Sequence, residues 1–208
     1  MLPLEWPKPR IIGANLFLDT NIWIDTNLMP VFVNAAGLEL CRLSLSDYVI
    51  DEWIVGNEGR YIKGMGITRE ELAKVLKKRY AFVDERDWRR FAKALERTSN
   101  KDQPIAASAR AAKAQIIVTE NFKDFDQVEM LQLGLRAYPP DVILAEFLYS
   151  YPLFCRVFAG MRRSQGTLET YTFETVDHWN CEKRMPLTAS ALAEHAAFFV
   201  DPFFGNLN

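Results

Sequence analysis

The 208-residue chain carries 25 basic and 27 acidic residues, a net charge of −2, with 49% of positions apolar and 25% charged. That length suits one domain, or one domain with an appended piece, whose core needs no disulfide or metal, and it excludes a general coat of positive charge for a polyanion. No apolar run approaches the roughly 20 residues that span a bilayer, MLPLEWPKPR lacks the order of a secretory leader, and three cysteines without a CxxC pair suit a reducing compartment, so a cytoplasmic protein with no membrane partner is expected.

The first 14 residues, rich in proline, read as an extended lead-in. Asn15 to Asp19 (NLFLD) is a short apolar run closed by a turn signal, the pattern of a buried strand. Ile22 to about Val33 has helical periodicity interrupted by Pro30, and Glu39 to Leu45 alternates as a second strand. Ser46 is a good N-cap for a helix running to about Glu58. TREELAKVLKKRYAFV opens with a capping box, Thr68 to Glu71, and places Leu72, Val75, Leu76 and Tyr80 on one face. A charged helix, about Asp84 to Arg97, is followed by the loop SNKDQ and an alanine-rich helix from Asp102 to about Lys113.

Gln115 to Thr119 (QIIVT) is a third strand, β-branched throughout, and a further strand is expected over Gly134 to Ala137 after a short helix. Continuous apolar strands alternating with helices predict an α/β fold, a central parallel sheet flanked by helices. Beyond Pro139-Pro140, helices are expected over Asp141 to Tyr149, Leu153 to Arg163 and Thr188 to Phe199, while Ser164 to Met185 is poorly periodic. The expected organisation is a lead-in (1–14), an α/β unit (15–138) and a C-terminal helical extension packed on it (139–208).

Four acids fall at strand ends or at helix starts beside them: Asp19, Glu52, Asp102 and Asp124. Ligands of open α/β sheets gather at the carboxyl edge of the strands. Carboxylates crowded there repel one another, and a divalent cation relieves the repulsion; an all-oxygen donor set with waters suits magnesium or manganese, one ion or two. Such a site activates water and stabilises the leaving oxygen of a phosphodiester. Each acid also has a structural alternative. Asp19 and Asp102 could cap helices, Asp124 could form an Asx-turn, and Glu52 could be a solvated helix acid.

The order LDTN, SLSDYVIDE, then DQPIAASARAAKAQIIVTENFKDF resembles the PIN-domain family of ribonucleases, over about Leu16 to Phe125, and LRAYPPDVILAEFL is similar to its VapC-like toxin branch. The resemblance implies Asp19, Glu52, Asp102 and Asp124 as catalytic and metal-binding acids, with Asn21, Thr119 and Asn121 as polar support. Position 121 is Asn where many members carry Asp, which leaves the fourth charge to Asp124; Asp51, Glu120 and Asp126 are neighbouring acids, and motif spacing favours Glu52 over Asp51. It further implies magnesium- or manganese-dependent RNA cleavage with no side-chain nucleophile, a homodimer, and a small antitoxin protein as partner.

Arg60, Lys63, Arg110, Lys113 and Lys123 are candidates for holding RNA phosphate, the alternative being a solvated face. Trp53, Tyr61 and Trp88 could stack bases, though core packing is the stronger expectation. A haloacid-dehalogenase-type phosphatase needs a second Asp two residues after the first, where Asn21 stands. Zinc at Cys155, His178, Cys181 and His195 lacks a second close ligand pair. The remaining alternative is a PIN-like scaffold that binds RNA or protein without cleaving.

Overall fold

The computed structural model describes residues 10–25, 27–56, 68–158 and 184–195. In chain order these form β1 (Asn15–Leu18), α1 (Thr20–Ile24), α2 (Leu28–Gly37), β2 (Arg42–Ser46), α3 (Asp47–Gly56), α4 (Arg69–Arg79), β3 (Ala81–Val83) and α5 (Glu85–Ala92). Then follow α6 (Gln103–Ala111), β4 (Ile116–Val118), α7 (Gln127–Gln132), β5 (Arg136–Tyr138), α8 (Pro140–Ser150) and α9 (Pro186–Glu194). The five strands are all parallel, in the order β3-β2-β1-β4-β5. This is an α/β fold with a parallel sheet flanked by helices.

The centre of the sheet is dry because its strands are apolar on both faces. Leu16, Phe17, Leu18, Ile116, Ile117 and Val118 are fully buried, each such side chain contributing about 1.5–3 kcal/mol. Two buried polar side chains of the sheet are satisfied together: Ser44 donates to Asn15 Oδ1 (2.6 Å), and Asn15 Nδ2 donates to the Ala112 carbonyl at the end of α6 (3.0 Å). Strand order reverses between β1 and β4, since β2 and β3 lie on one side of β1 while β4 and β5 lie on the other. That reversal opens a crevice at the carboxyl ends of β1 and β4.

Several boundaries differ from the sequence expectation for identifiable reasons. The helix expected over Ile22 to Val33 is two helices, and Pro30 does not divide them. Asp25 does, its carboxylate accepting the N–H groups of Asn27 (2.8 Å) and Leu28 (2.9 Å), while Pro30 lies in the first turn of α2, where an N–H has no intrahelical partner. The second strand starts at Arg42 rather than Glu39, because Glu39 adopts φ 60° in the turn that closes α2. Ser46 ends β2, and its hydroxyl accepts the Val49 N–H (3.4 Å) at the start of α3.

The helix of the capping box stops at Arg79, and AFV is an additional edge strand, β3. Only Leu72 and Leu76 of the expected apolar face are buried; Val75 is exposed. Beyond β5, α8 and α9 pack on each other. Asp141 at the start of α8 accepts the N–H groups of Leu187 (3.1 Å) and Thr188 (2.7 Å) in the first turn of α9. The stretch 164–183, with the zinc candidates His178 and Cys181, lies outside the described residues, as do Arg60, Tyr61 and Lys63. No helix among the described residues is long and apolar enough to cross a membrane.

Candidate active site

The crevice at the carboxyl edge is a cleft of about 450 Å³ bordered by Asp19, Asn21, Glu52, Lys101, Asp102 and Asn121, with Asp51 also on its wall. Each acid arrives on a different element. Asp19 follows β1 directly, its N–H bonded to the Val118 carbonyl of β4 (3.0 Å), so the sheet itself fixes the residue at the strand reversal. Glu52 lies in the middle of α3, and Asp102 precedes α6.

Asp19 is 5% exposed, and three donors orient its carboxylate. Thr20 N–H donates to Oδ1 (2.6 Å), while Asn21 Nδ2 (2.7 Å) and the Thr119 hydroxyl (2.6 Å) donate to Oδ2. A carboxylate has about four acceptor positions, so one remains open on Oδ1. Burial pushes this carboxyl up most strongly; the Thr119 and Thr20 donors pull it back, and the charges of Asp102 and Glu52 push it up again, leaving it raised to about 6. The Thr119 hydroxyl also accepts the Asn121 N–H (3.0 Å), tying the β4 loop to Asp19.

Glu52 accepts the Thr20 hydroxyl on Oε2 (2.6 Å) and the Tyr48 phenol on Oε1 (3.0 Å). Burial, then the negative charge of Glu52, push the Tyr48 phenol up, which keeps it protonated as a donor. The adjacent Asp51, on the cleft wall, pairs with Arg69 and is half exposed, whereas Glu52 is bonded to Thr20 beside Asp19. Asp102 is buried and takes the Ser99 hydroxyl on Oδ2 (2.5 Å). It occupies the N-cap position of α6 with helical backbone angles (φ −96°, ψ −12°), and its side chain caps no N–H. Capping therefore does not account for it.

The structure does not bring every candidate to the cleft. Asp124 ends a short 3-10 turn (Phe122–Asp124), is exposed, and is not among the residues bordering the cleft; its carbonyl accepts the Ser99 N–H (3.3 Å). Lys123 is exposed on the same turn. Arg110 and Lys113 sit at the far end of α6, toward the amino edge of the sheet and away from the acids. Trp53 and Trp88 are buried: Trp53 stacks on Trp23 at 5.8 Å, and Trp88 meets Tyr48 edge-on and donates to Asp47 (3.1 Å). Asp126 caps α7 through the N–H groups of Val128 and Glu129 (both 3.0 Å), and Glu120 pairs with Arg184.

Two participants carried no sequence signal. Lys101, read only as part of the loop SNKDQ, brings a cation to the cleft. Arg184 bridges Glu120 on the β4 loop and Asp25 after α1 (2.8 Å to Asp25), tying the C-terminal region to the loops that follow β4 and α1. Among the described residues no three acid, histidine or cysteine side chains already form a cage for an ion.

No family model and no curated protein matches the chain. Among solved structures, VapBC2 from Rickettsia felis bound to a DNA fragment from its promoter includes a chain with 20% identity, covering 60% of this chain and 98% of that one, with a TM-score of 0.41. A likeness of that strength carries no argument about the site. The α/β assignment rests on the strand order itself.

Proposed function

We propose that the chain is a metal-dependent endoribonuclease of PIN type, hydrolysing RNA phosphodiester bonds by attack of water. The observation that carries this reading is the convergence of Asp19, Glu52 and Asp102, from three separate elements, on one cleft where the strand order reverses. Like charges placed together in a buried site are costly unless a cation offsets them. The donor set is all oxygen, which fits magnesium or manganese. Magnesium keeps several waters and needs only one or two protein carboxylates, so a complete protein cage is not required.

Asp19, through the open position on Oδ1, and Asp102, through Oδ1, would hold such an ion, with Glu52 beside them; Asp124 would join only if its turn closed on the cleft. A divalent ion there lowers the pKa of water and offsets charge on the phosphodiester, with one ion or two. The chain's own groups supply orientation. Thr20 N–H, Asn21 and Thr119 fix the Asp19 plane, Tyr48 and Thr20 fix Glu52, and Lys101 offers a cation to a phosphate oxygen. No side chain need act as nucleophile.

Incubation with mixed RNA and manganese or magnesium tests this reading, with chelator, Asp19→Asn and Asp102→Asn as controls. Cleavage that depends on the ion and is lost in both variants is expected; cleavage that survives both substitutions excludes the assignment. Asn121 in place of an acid, and an exposed Asp124, favour a second reading in which the cleft binds RNA without cutting it. Retention of several RNAs without cleavage under either ion would establish that one. A homodimer and an inhibitory antitoxin protein belong to the nuclease proposal; light scattering checks the first, and co-purification with the products of neighbouring genes checks the second.

A further inference from the structure

The sheet has a second cleft at its opposite edge. β1 runs about 13 Å from Asp19 back to Asn15, and Asn15 borders a cleft of about 600 Å³ at the amino ends of β1, β2 and β3. That volume lies in the range of small-molecule sites. Three cations border it from three elements: Arg42 at the start of β2, Arg79 at the end of α4 and Lys113 in the turn between α6 and β4. No carboxylate borders it, and none of the three cations has an ion pair among the described residues. Leu43 and Tyr80 add apolar wall, and Gln115 adds an amide.

From this juxtaposition we propose that the cleft at the amino edge binds the phosphate of a nucleotide, free or within an RNA chain. Two guanidiniums and an ammonium suit phosphate oxygens, the guanidiniums by paired N–H donors and the ammonium as a point charge. A nearly neutral chain gains little general attraction for polyanions, so three such cations around one concavity define where a phosphate is held. Tyr80, half-buried, gives the sugar or base a surface to cover. The site is built from residues remote from the acids, and it does not depend on the nuclease reading.

Lys113 allows a clean test. It has φ 55° in the position after α6, with its N–H on the Arg110 carbonyl (3.0 Å) and the Ala114 N–H on the Ala109 carbonyl (2.9 Å). Glycine is preferred in that conformation, so Lys113→Gly removes the charge without threatening the fold. Binding is measured in chelator, by calorimetry with adenosine triphosphate and by anisotropy with a labelled ten-nucleotide oligouridylate, each across a salt series. Wild type binds at least one probe; Lys113→Gly weakens it about threefold, and Arg42→Gln with Arg79→Gln at least tenfold.

For the oligonucleotide, each lost phosphate contact lowers the salt slope by about 0.7. Binding of the triphosphate identifies a free nucleotide as the ligand, and binding of the oligonucleotide alone identifies an RNA chain. No binding of either probe at millimolar concentration overturns the proposal. So does binding that all three substitutions leave unchanged, or binding that Asp102→Asn at the other edge abolishes while these variants do not.

Discussion

Asp19→Asn should make the metal-free protein more stable while abolishing any activity of the cleft. Moving a carboxyl from its ordinary 3.8 to about 6 corresponds to about 3 kcal/mol of penalty on the charged form in the folded state. The sign follows from proton binding. Between pH 4 and 6 the native state holds a proton at Asp19 that the unfolded chain has released, so stability falls as pH rises through this window and the full loss is present at pH 7. Asparagine carries no charge and escapes the penalty, but its one carbonyl oxygen can fill only one of the two oxygen positions; with it on the side of Asn21 and Thr119, the Thr20 N–H loses its acceptor, and one lost bond costs about 1 kcal/mol.

The net gain is about 2 kcal/mol at pH 7.5, or about 4–8 °C in Tm for a chain of this size. Thermal unfolding of wild type and variant in chelator, at pH 5 and pH 7.5, measures it. Wild type should lose stability between the two pH values by more than the variant does. A variant no more stable than wild type at pH 7.5, with an identical pH response, would refute the account of Asp19 as a buried acid held at a cost. Added magnesium should stabilise wild type and leave the variant unmoved.

Thr20→Val keeps shape but removes the hydroxyl bond to Glu52 Oε2; RNA cleavage should fall about tenfold, equivalent to about 1.4 kcal/mol of barrier, with Tm within about 3 °C of wild type. Glu129 is buried; burial raises its carboxyl, but the N–H groups of Arg97 and Thr98 and the Thr98 hydroxyl outweigh this and hold it below its ordinary value. Glu129→Gln should cost about 2–3 kcal/mol in urea unfolding at pH 7, and the cost should shrink as pH falls below the ordinary carboxyl value of 4.5 and on through the lowered folded one, where wild type itself takes up the proton. Asp141→Ala removes the acceptor of two first-turn N–H groups of α9, so a loss of about 1–2 kcal/mol and faster proteolysis near residue 184 are expected.

The central strands were legible because burial on both faces leaves an unbroken apolar run, as in NLFL and IIV. β3 was not. Three residues with one buried side chain, Val83, directly after a helix, carry no period of their own; the pairing of Ser44, Leu45 and Ser46 with Ala81, Phe82 and Val83 defines the strand. The split between α1 and α2 was placed at the wrong residue for a related reason. Proline is a conspicuous helix breaker in sequence, whereas the Asp25 turn depends on a side chain reaching back to the next backbone N–H groups. Lys101 and Arg184 escaped notice because neither belongs to a periodic pattern, and what each faces is decided by chain segments far away.

Asp102 separates the two meanings that an acid before a helix can have. Before Gln103-Pro104 it reads as an N-cap, and a cap of this kind is worth about 0.5–2 kcal/mol. The structure forgoes that gain: Asp102 has helical angles and its carboxylate accepts Ser99 instead of an α6 N–H. Pro104 lowers the cost of doing so, because it removes one of the first-turn N–H groups that would need a partner. Asp126 shows the contrast within the same chain, with extended angles (φ −66°, ψ 119°) and two N–H groups of α7 on its carboxylate. Both acids precede helices, but only Asp102 leaves its helix uncapped and lies where the field of Asp19 and Glu52 opposes its charge. An arrangement that gives up a cap to place a buried acid beside two others is costly for folding alone, and a cation bound as proposed would offset that cost.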